Sequence, residues 1–311
     1  MPPSSEAATI LINRRARRAG HAGWLEAVGA RLAARYRVHT VEPRSAAETE
    51  AAARDAAHAG SRIVVAAGGD GTVHAVANGL AGTDAALGLL PLGTANDFAR
   101  ELALPRDVDD AAARLIQGQV RRVDLGVANG RRFLTVAGLG LVSSSALAVS
   151  NARSAPGITR RIAGLLGSGA YRVAAALEIL GSRRITNRMR LTWTDPDTGR
   201  EETRALDAHA LFVTNHLTCG GGLVVPSGGR ADDGVIELCV VPATSRARLV
   251  ANLQRLSSAR AIPADVLTVI RARRAVVALG EPDRMVADGE LVDEGLHFEL
   301  GVEREALEVV V

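Results

Sequence analysis

Apolar positions in the first third of the chain alternate between two patterns. Short runs at Ala8 to Asn13, Tyr36 to Val41, Ile63 to Ala67 and Ala86 to Leu90 have the length of buried strands. Between them the spacing turns helical: Trp24, Val28 and Leu32, then an alanine-rich stretch to Ala57, then Val73, Val76, Ala77 and Leu80 at i, i+3, i+4 and i+7. A short helix carrying Phe98 and Leu102 follows the fourth strand. Strand and helix in alternation predict an α/β domain over residues 1–122 with a largely parallel sheet.

After Val120 the pattern changes. Asp124 to Val127 and Arg132 to Ala137 flank Asn129-Gly130, the dipeptide of a tight hairpin. Short strand-like runs then dominate: Arg188 to Thr194, Ala208 to Thr214, Val235 to Val241, Ala275 to Leu279, Arg284 to Ala287 and His297 to Leu300. They predict a mostly antiparallel β-sandwich over residues 123–311, with the C-terminal segment free to pack back on the first domain. Ile162 to Leu180 is the one stretch long enough to raise a membrane span. Arg161, Arg172 and Glu178 punctuate it, and that argues against a span. Its stripe Val173, Leu177, Leu180 is expected to face a core, with a lipid-facing role as the alternative.

Composition narrows the chemistry. All 37 basic side chains are arginine. Without a lysine there is no P-loop, no protein-kinase third-strand lysine and no Schiff base. A net charge of +3 and 3% aromatic residues argue against nucleic acid as a partner. Arginines cluster at Arg14, Arg15, Arg17 and Arg18, at Arg160 and Arg161, and at Arg183, Arg184, Arg188 and Arg190. Such clusters suit a solvated face or an anionic lipid surface. The N-terminal MPPSSEAATILINRRARR has no basic stretch ahead of an apolar one, so the expectation is a cytoplasmic protein without a signal peptide. Cys219 and Cys239 lack the spacing of a metal knuckle or redox pair.

Two turns carry the candidate chemistry. Gly68-Gly69-Asp70-Gly71-Thr72 follows a buried strand and opens a helix, where bare backbone N–H groups and the helix dipole favour an anion such as phosphate. A tight βα connection is the bland alternative. Asp70 stands where a dinucleotide fingerprint needs glycine, which argues against a dehydrogenase. Pro91 to Phe98 repeats the logic after the next strand: Thr94 can donate to phosphate, Asn96 can orient the turn, and Asp97 can cap its helix or join a magnesium network.

Read with their spacing, GGDGTVHAVANGL and PLGTANDFAR resemble the bacterial diacylglycerol kinase family of lipid kinases, which is similar to sphingosine and ceramide kinases. Asp124 in VDLG, FLTVAGLG, GGGLVVPSGGRADDGVIEL and Asp288-Gly289-Glu290 follow in the family's order, so the likeness runs nearly the whole chain. It implies ATP and Mg²⁺ as cofactors, a lipid substrate at the inner membrane surface and peripheral membrane association, and it leaves a homodimer open. The product would be a lipid phosphate.

By the same resemblance, Asn13, Gly68, Gly69, Asp70, Gly71, Thr72, His74, Thr94 and Asn96 take nucleotide-binding positions. Asp70, Asp97 and Asp124 look like carboxylates holding catalytic Mg²⁺ through water. Asp233, with the carbonyls of Arg230 and Val235, looks like a second, structural magnesium site. Taken alone, Asp232-Asp233-Gly234 suits a hairpin turn or a hard cation equally. Asp288-Gly289-Glu290 reads as a surface turn by itself, and the resemblance makes Asp288 and Glu290 the candidate bases. Arg14 replaces the usual proline after Asn13, and His74 the usual asparagine. An NAD kinase shares the GGDG turn, but PLGTANDFAR belongs to the lipid kinase pattern. A catalytically weak lipid- or nucleotide-binding protein is the reading from a different class.

Overall fold

The computed structural model describes residues 6–13, 23–93, 95–154, 169–182, 185–215, 218–219, 223–224, 229–256 and 266–311. Packing divides the chain into two compact units, Met1–Asp124 with Glu305–Val311, and Leu125–Arg304. Arg14, Arg15, Arg17, Arg18, Thr94, Arg160, Arg161, Arg183 and Arg184 lie outside the described residues.

The first unit runs β1 (Ala7–Ile12), α1 (Trp24–Leu32), β2 (Arg37–Val41), α2 (Ala46–His58), β3 (Ser61–Gly68), α3 (Asp70–Leu80), β4 (Ala86–Pro91), α4 (Asp97–Glu101) and α5 (Val108–Gln117), then the start of β5 (Val120–Ala128). β1 pairs in parallel with β2 and β3, and β3 with β4, with Val64 beside Leu87. Helices cover the sheet, so Ile63, Val64, Val65, Ala66 and Ala67 are all buried regardless of parity. That explains unbroken apolar runs where a one-sided sheet would alternate. Trp24, Val28 and Leu32 from α1 and Ala111, Ala112 and Leu115 from α5 share one core with Ile10, Ile63 and Val65. Ser45 caps α2 by accepting the Glu48 amide at 3.1 Å, and Asp107 caps α5 through the amides of Asp109 and Asp110. The chain's last residues add a further parallel pairing, with Val309 beside Leu87.

The second unit contains β6 (Arg131–Phe133), β7 (Val136–Gly140), α6 (Leu141–Ser154), α7 (Gly169–Gly181), β8 (Asn187–Thr194), β9 (Glu201–Thr214), β10 (Thr218–Cys219), β11 (Leu223–Val224), β12 (Ile236–Pro242), α8 (Arg246–Leu256), β13 (Thr268–Ala272), β14 (Arg274–Ala287) and most of β15 (Glu290–Val310). It is β-rich and antiparallel. β8 pairs with β9, β9 with β7, β7 with β14 and β14 with β8, so the ladder returns to its start. Phe133, Trp193, Leu211, Leu238, Val277, Met285 and Phe298 fill the space it encloses. The β5–β6 hairpin turns on Asn129 and Gly130, at φ 45° and 76°, the left-handed pair that an Asn-Gly turn supplies.

Two expectations need correcting. Ala275 to Leu279 and Arg284 to Ala287 are one strand, β14, whose register shifts between Ala278 and Asp283; the Gly280 to Pro282 segment bends the strand without ending it. His297 to Leu300 is likewise the middle of the 21-residue β15. The stripe on α7 does not face a core: Val173, Leu177 and Leu180 are 44%, 67% and 69% exposed. The buried side of α7 carries Ala170 and Ala174, which pack against Val149 of α6, and Ile179, which packs with Phe212, Leu249 and Leu267. Ala170 and Ala174 let α6 and α7 approach closely, and Val173, Leu177 and Leu180 are left outside.

Candidate functional site

In the first unit the two glycine-bearing turns meet. β3 and β4 end level, with Gly68 beside Pro91 and the Leu92 amide donating to the Gly68 carbonyl at 2.9 Å. Beyond that point the backbones touch. A Cβ on Gly69 would lie 3.1 Å from Gly93 Cα, and one on Gly93 would overlap the Gly69 backbone and sit 2.7 Å from Asn96 Oδ1. Gly93 has no room for a side chain, and at Gly69 a methyl group would already be tight.

Asp70 fixes this contact. Its Oδ1 accepts the Asp97 amide at 2.7 Å and its Oδ2 the Asn96 amide at 3.0 Å. A carboxylate at the start of α3 therefore caps the start of α4. Asn96 closes its own turn from a left-handed backbone at φ 50°: its Oδ1 accepts the Gly93 amide at 2.9 Å and its Nδ2 donates to the Gly93 carbonyl at 2.8 Å. Asp97 is buried and sits 3.4 Å from Arg100 Nη1.

The N-cap of α3 is Gly69, which offers no side-chain acceptor to the first-turn amides. Such amides suit an anion. Around Gly71 a Cβ would meet nothing within 4 Å, so this side is open, whereas Thr72 is buried against Gly68. His74 is buried within α3 and approaches Asn78 Nδ2 at 3.3 Å through Nε2. Asn13 lies alongside the end of β3, its amide donating to the Ala67 carbonyl at 3.2 Å. Asp124 on β5 is 1% exposed, and its Oδ1 accepts the Glu305 amide at 2.7 Å.

In the second unit Asp288 and Gly289 form the β14–β15 turn, both at positive φ. The Asp288 carboxylate is heavily engaged. Oδ2 accepts the Leu134 amide at 2.7 Å, and Oδ1 accepts the Thr135 amide at 2.9 Å, the Thr135 hydroxyl at 2.7 Å and the Val136 amide at 3.2 Å. Glu290, two residues on, is exposed.

The loop before β12 holds the remaining predicted residues. Arg230 pairs with Asp232 at 3.0 Å, which raises its pKa, and Asp233 pairs with Arg271 at 3.0 Å while accepting the Val235 amide at 3.1 Å. Beneath them lies a group missed by sequence reasoning. Glu237 is 0% exposed, and neither carboxylate oxygen has a hydrogen-bond partner among the described residues. Burial, and secondarily the charge of Asp233, push it up to about 7 against the pull of Arg271. The available signal was an acidic residue inside the apolar run Val-Ile-Glu-Leu-Cys-Val-Val. No cluster of three His, Cys, Asp or Glu side chains able to hold a metal occurs among the described residues. A divalent ion here would need backbone carbonyls or water to complete its shell.

A second missed group is Asp283. It lines a cavity of about 160 Å³ with Gly140, Ser144, Glu178, Asn187 and His209. Burial raises its pKa, opposed by the Arg284 and Gly140 amides that donate to it. His209 is fully used as a brace: Nε2 accepts the Thr244 amide at 2.8 Å and Nδ1 lies 2.9 Å from the Ile185 carbonyl.

The diacylglycerol kinase catalytic domain matches residues 7–128, and the YegS C-terminal NAD kinase beta sandwich-like domain matches residues 148–311. The chain is 35% identical to a protein of Chromohalobacter salexigens named "Probable lipid kinase YegS-like", over 61% of this chain and 57% of that protein's length. It is 29% identical to the diacylglycerol kinase of Bacillus subtilis (strain 168), over 82% of this chain and 80% of that one. A solved chain from Bacillus anthracis str. Sterne superposes with a TM-score of 0.78 at 21% identity, covering 98% of this chain and 97% of the other. That likeness concerns the fold alone.

Proposed function

The chain belongs to the diacylglycerol kinase family, and from that premise we propose that it is an ATP-dependent lipid kinase, transferring the γ-phosphate to a lipid hydroxyl. The carrying observation is the contact of the two turns at Gly69 and Gly93, held by Asp70. Two glycine corners in contact, beside an uncapped helix N-terminus, give a triphosphate one place to be gripped by backbone amides.

In this reading Gly68, Gly69, Gly71 and Thr72 cradle phosphate, with Asn13, His74, Thr94 and Asn96 at the nucleotide's periphery. Asp70 is a positioning residue, because both of its oxygens already accept backbone amides. Asp97 and Asp124 would hold a Mg²⁺ ion through water, as the resemblance implies, and that ion would neutralise charge on the phosphates.

Glu290 is the proposed base and Asp288 its anchor. The four donors on Asp288 satisfy its carboxylate and lock the turn that carries Glu290. As the lipid oxygen forms its bond to the γ-phosphorus, the bond to the β–γ bridging oxygen breaks, ADP leaves and Glu290 takes the hydroxyl proton.

A lipid substrate places the enzyme at a membrane surface. No helix among the described residues is long and apolar enough to cross one, so association would be peripheral, and the exposed stripe Val173, Leu177, Leu180 supports it. The test is transfer of labelled phosphate from ATP across a panel of diacylglycerol, phosphatidylglycerol and ceramide-type lipids in mixed micelles. Labelled lipid phosphate is expected. ATP binding without any lipid product would instead favour a binding protein, and labelled NADP from NAD would favour an NAD kinase.

A further inference from the structure

Phosphoryl-transfer sites set a cationic side chain against the β- and γ-phosphates, a lysine in P-loop enzymes and in protein kinases. This chain has no lysine, so the role falls to an arginine. The two turns themselves carry acids: Asp70 and Asp97 stand at the first positions of α3 and α4. A triphosphate brought there adds to the negative charge.

Several arginines of the first unit are committed elsewhere. Arg62 and Arg122 both reach Glu308, Arg54 pairs with Glu50, and Arg31 and Arg35 donate to the carbonyls of Asp109 and Ile116. Arg100 differs. It lies one turn along α4 from Asp97, and its side chain is 37% exposed, open to a ligand. The position of α4 is fixed to the turns, because Asp70 accepts the amides of Asn96 and Asp97. Among the described residues the Arg100 guanidinium makes one hydrogen bond, Nη1 to Asp97 Oδ1 at 3.4 Å. That is long for a charge-assisted bond, and the rest of its five-donor fork is uncommitted.

We propose that Arg100 is the cationic phosphate ligand, and that its guanidinium exchanges Asp97 for the β- and γ-phosphates when ATP enters. Asp97 then turns to the waters of the Mg²⁺ that accompanies ATP, so its charge stays compensated while Arg100 moves. A planar fork suits phosphate oxygens two at a time. The role rests on the kinase reading and supplies its cationic group.

The test measures binding rather than turnover. The full chain is titrated with Mg-ATP and, separately, with AMP by equilibrium dialysis, beside a melting curve. Arg100→Gln should weaken ATP binding at least about tenfold, the scale of one charge-assisted hydrogen bond. AMP, which lacks the phosphates assigned to Arg100, should bind as it does to wild type. Arg100→Lys keeps the charge without the fork, so it should fold and show a smaller loss for ATP alone; it carries the test should Arg100→Gln not fold. Equal losses for ATP and AMP would make Arg100 a structural partner of Asp97 and overturn the proposal. So would ATP binding as in wild type by Arg100→Gln or, failing that variant, by Arg100→Lys. A wild type that binds no ATP would instead overturn the kinase reading, so the two failures are distinct.

Discussion

Asp70 receives the amide of Asp97 at 2.7 Å across 27 positions of sequence, so the start of one helix is capped by the first residue of another. Because Asn96 shares the same carboxylate, one side chain sets the separation of the two phosphate-type turns. Asp70→Asn keeps the size but replaces one acceptor with a donor that faces a backbone N–H. The expected cost is about 2 kcal/mol of stability, read from urea denaturation, together with a large loss of ATP affinity. Unchanged stability would mean the clamp is not made in solution.

The glycines of the two turns should separate into two classes. Gly93→Ala forces a methyl into the Gly69 backbone, and overpacking of this kind costs about 1–3 kcal/mol. Gly71→Ala meets nothing within 4 Å in a helical first turn, so stability should hold or rise by up to about 1 kcal/mol. ATP affinity should nevertheless fall in Gly71→Ala, because a methyl would occupy the open side assigned to phosphate. Equilibrium dialysis with ATP beside a melting curve distinguishes the two. Normal ATP binding by Gly71→Ala would move the phosphate elsewhere.

Asp288 and Glu290 should fail differently. Asp288→Asn disrupts a carboxylate holding three amides and a hydroxyl, so it should lower the Tm and the activity together. Glu290→Gln changes an exposed side chain, so it should keep the Tm and ATP affinity while kcat falls by about 10²-fold or more, the range of a lost general base. A Glu290→Gln enzyme with normal kcat would remove that residue from the base role.

The first domain was legible because β1, β3 and β4 are buried on both faces and its helices carry regular stripes, so run length and period both pointed to alternating elements. The Asn129-Gly130 hairpin was legible for a local reason, since that dipeptide fits positive φ at both positions. What escaped was set by long-range packing. Gly280 and Pro282 look like a strand end, yet β14 bends through them because β8 and β15 hold it on either side. Val173, Leu177 and Leu180 look like a core face, yet Ala170, Ala174 and Ile179 took that place. At the site, residue types announced the two turns, while the engagement of Asp70 and Asp288 by amides depends on backbone positions that no spacing rule reports.

Asp283 predicts a pH effect on stability. Burial raises its folded-state pKa above the ordinary carboxylate value, so the folded protein holds this proton more tightly than the unfolded chain does. Its contribution is fully present below the unfolded value and is lost as pH rises through the raised folded value. Asp283→Asn cannot ionise and keeps an acceptor for the Gly140 amide. The stability of this variant relative to wild type should therefore increase as pH climbs from the acid side into the mildly acidic range. A constant difference across urea titrations at several pH values would show that Asp283 ionises as freely in the folded protein as in the unfolded chain.

The exposed face of α7 gives the membrane prediction. Leu177 and Leu180 project from the helix at 67% and 69% exposure, so replacing them removes little packing from the fold. On a vesicle each leucine would bury its apolar surface among acyl chains, worth about 1.5 kcal/mol per side chain. Leu177→Asp with Leu180→Asp loses both terms and adds charge that an anionic surface repels. The double variant should keep its Tm and its ATP affinity and sediment with anionic phospholipid vesicles at least about tenfold more weakly, since each 1.4 kcal/mol is a factor of ten. The defect in lipid phosphorylation should be large on vesicles and small on a short-chain lipid dispersed as monomers, because only the former requires docking. Equal vesicle binding by the two proteins would assign membrane contact to another surface.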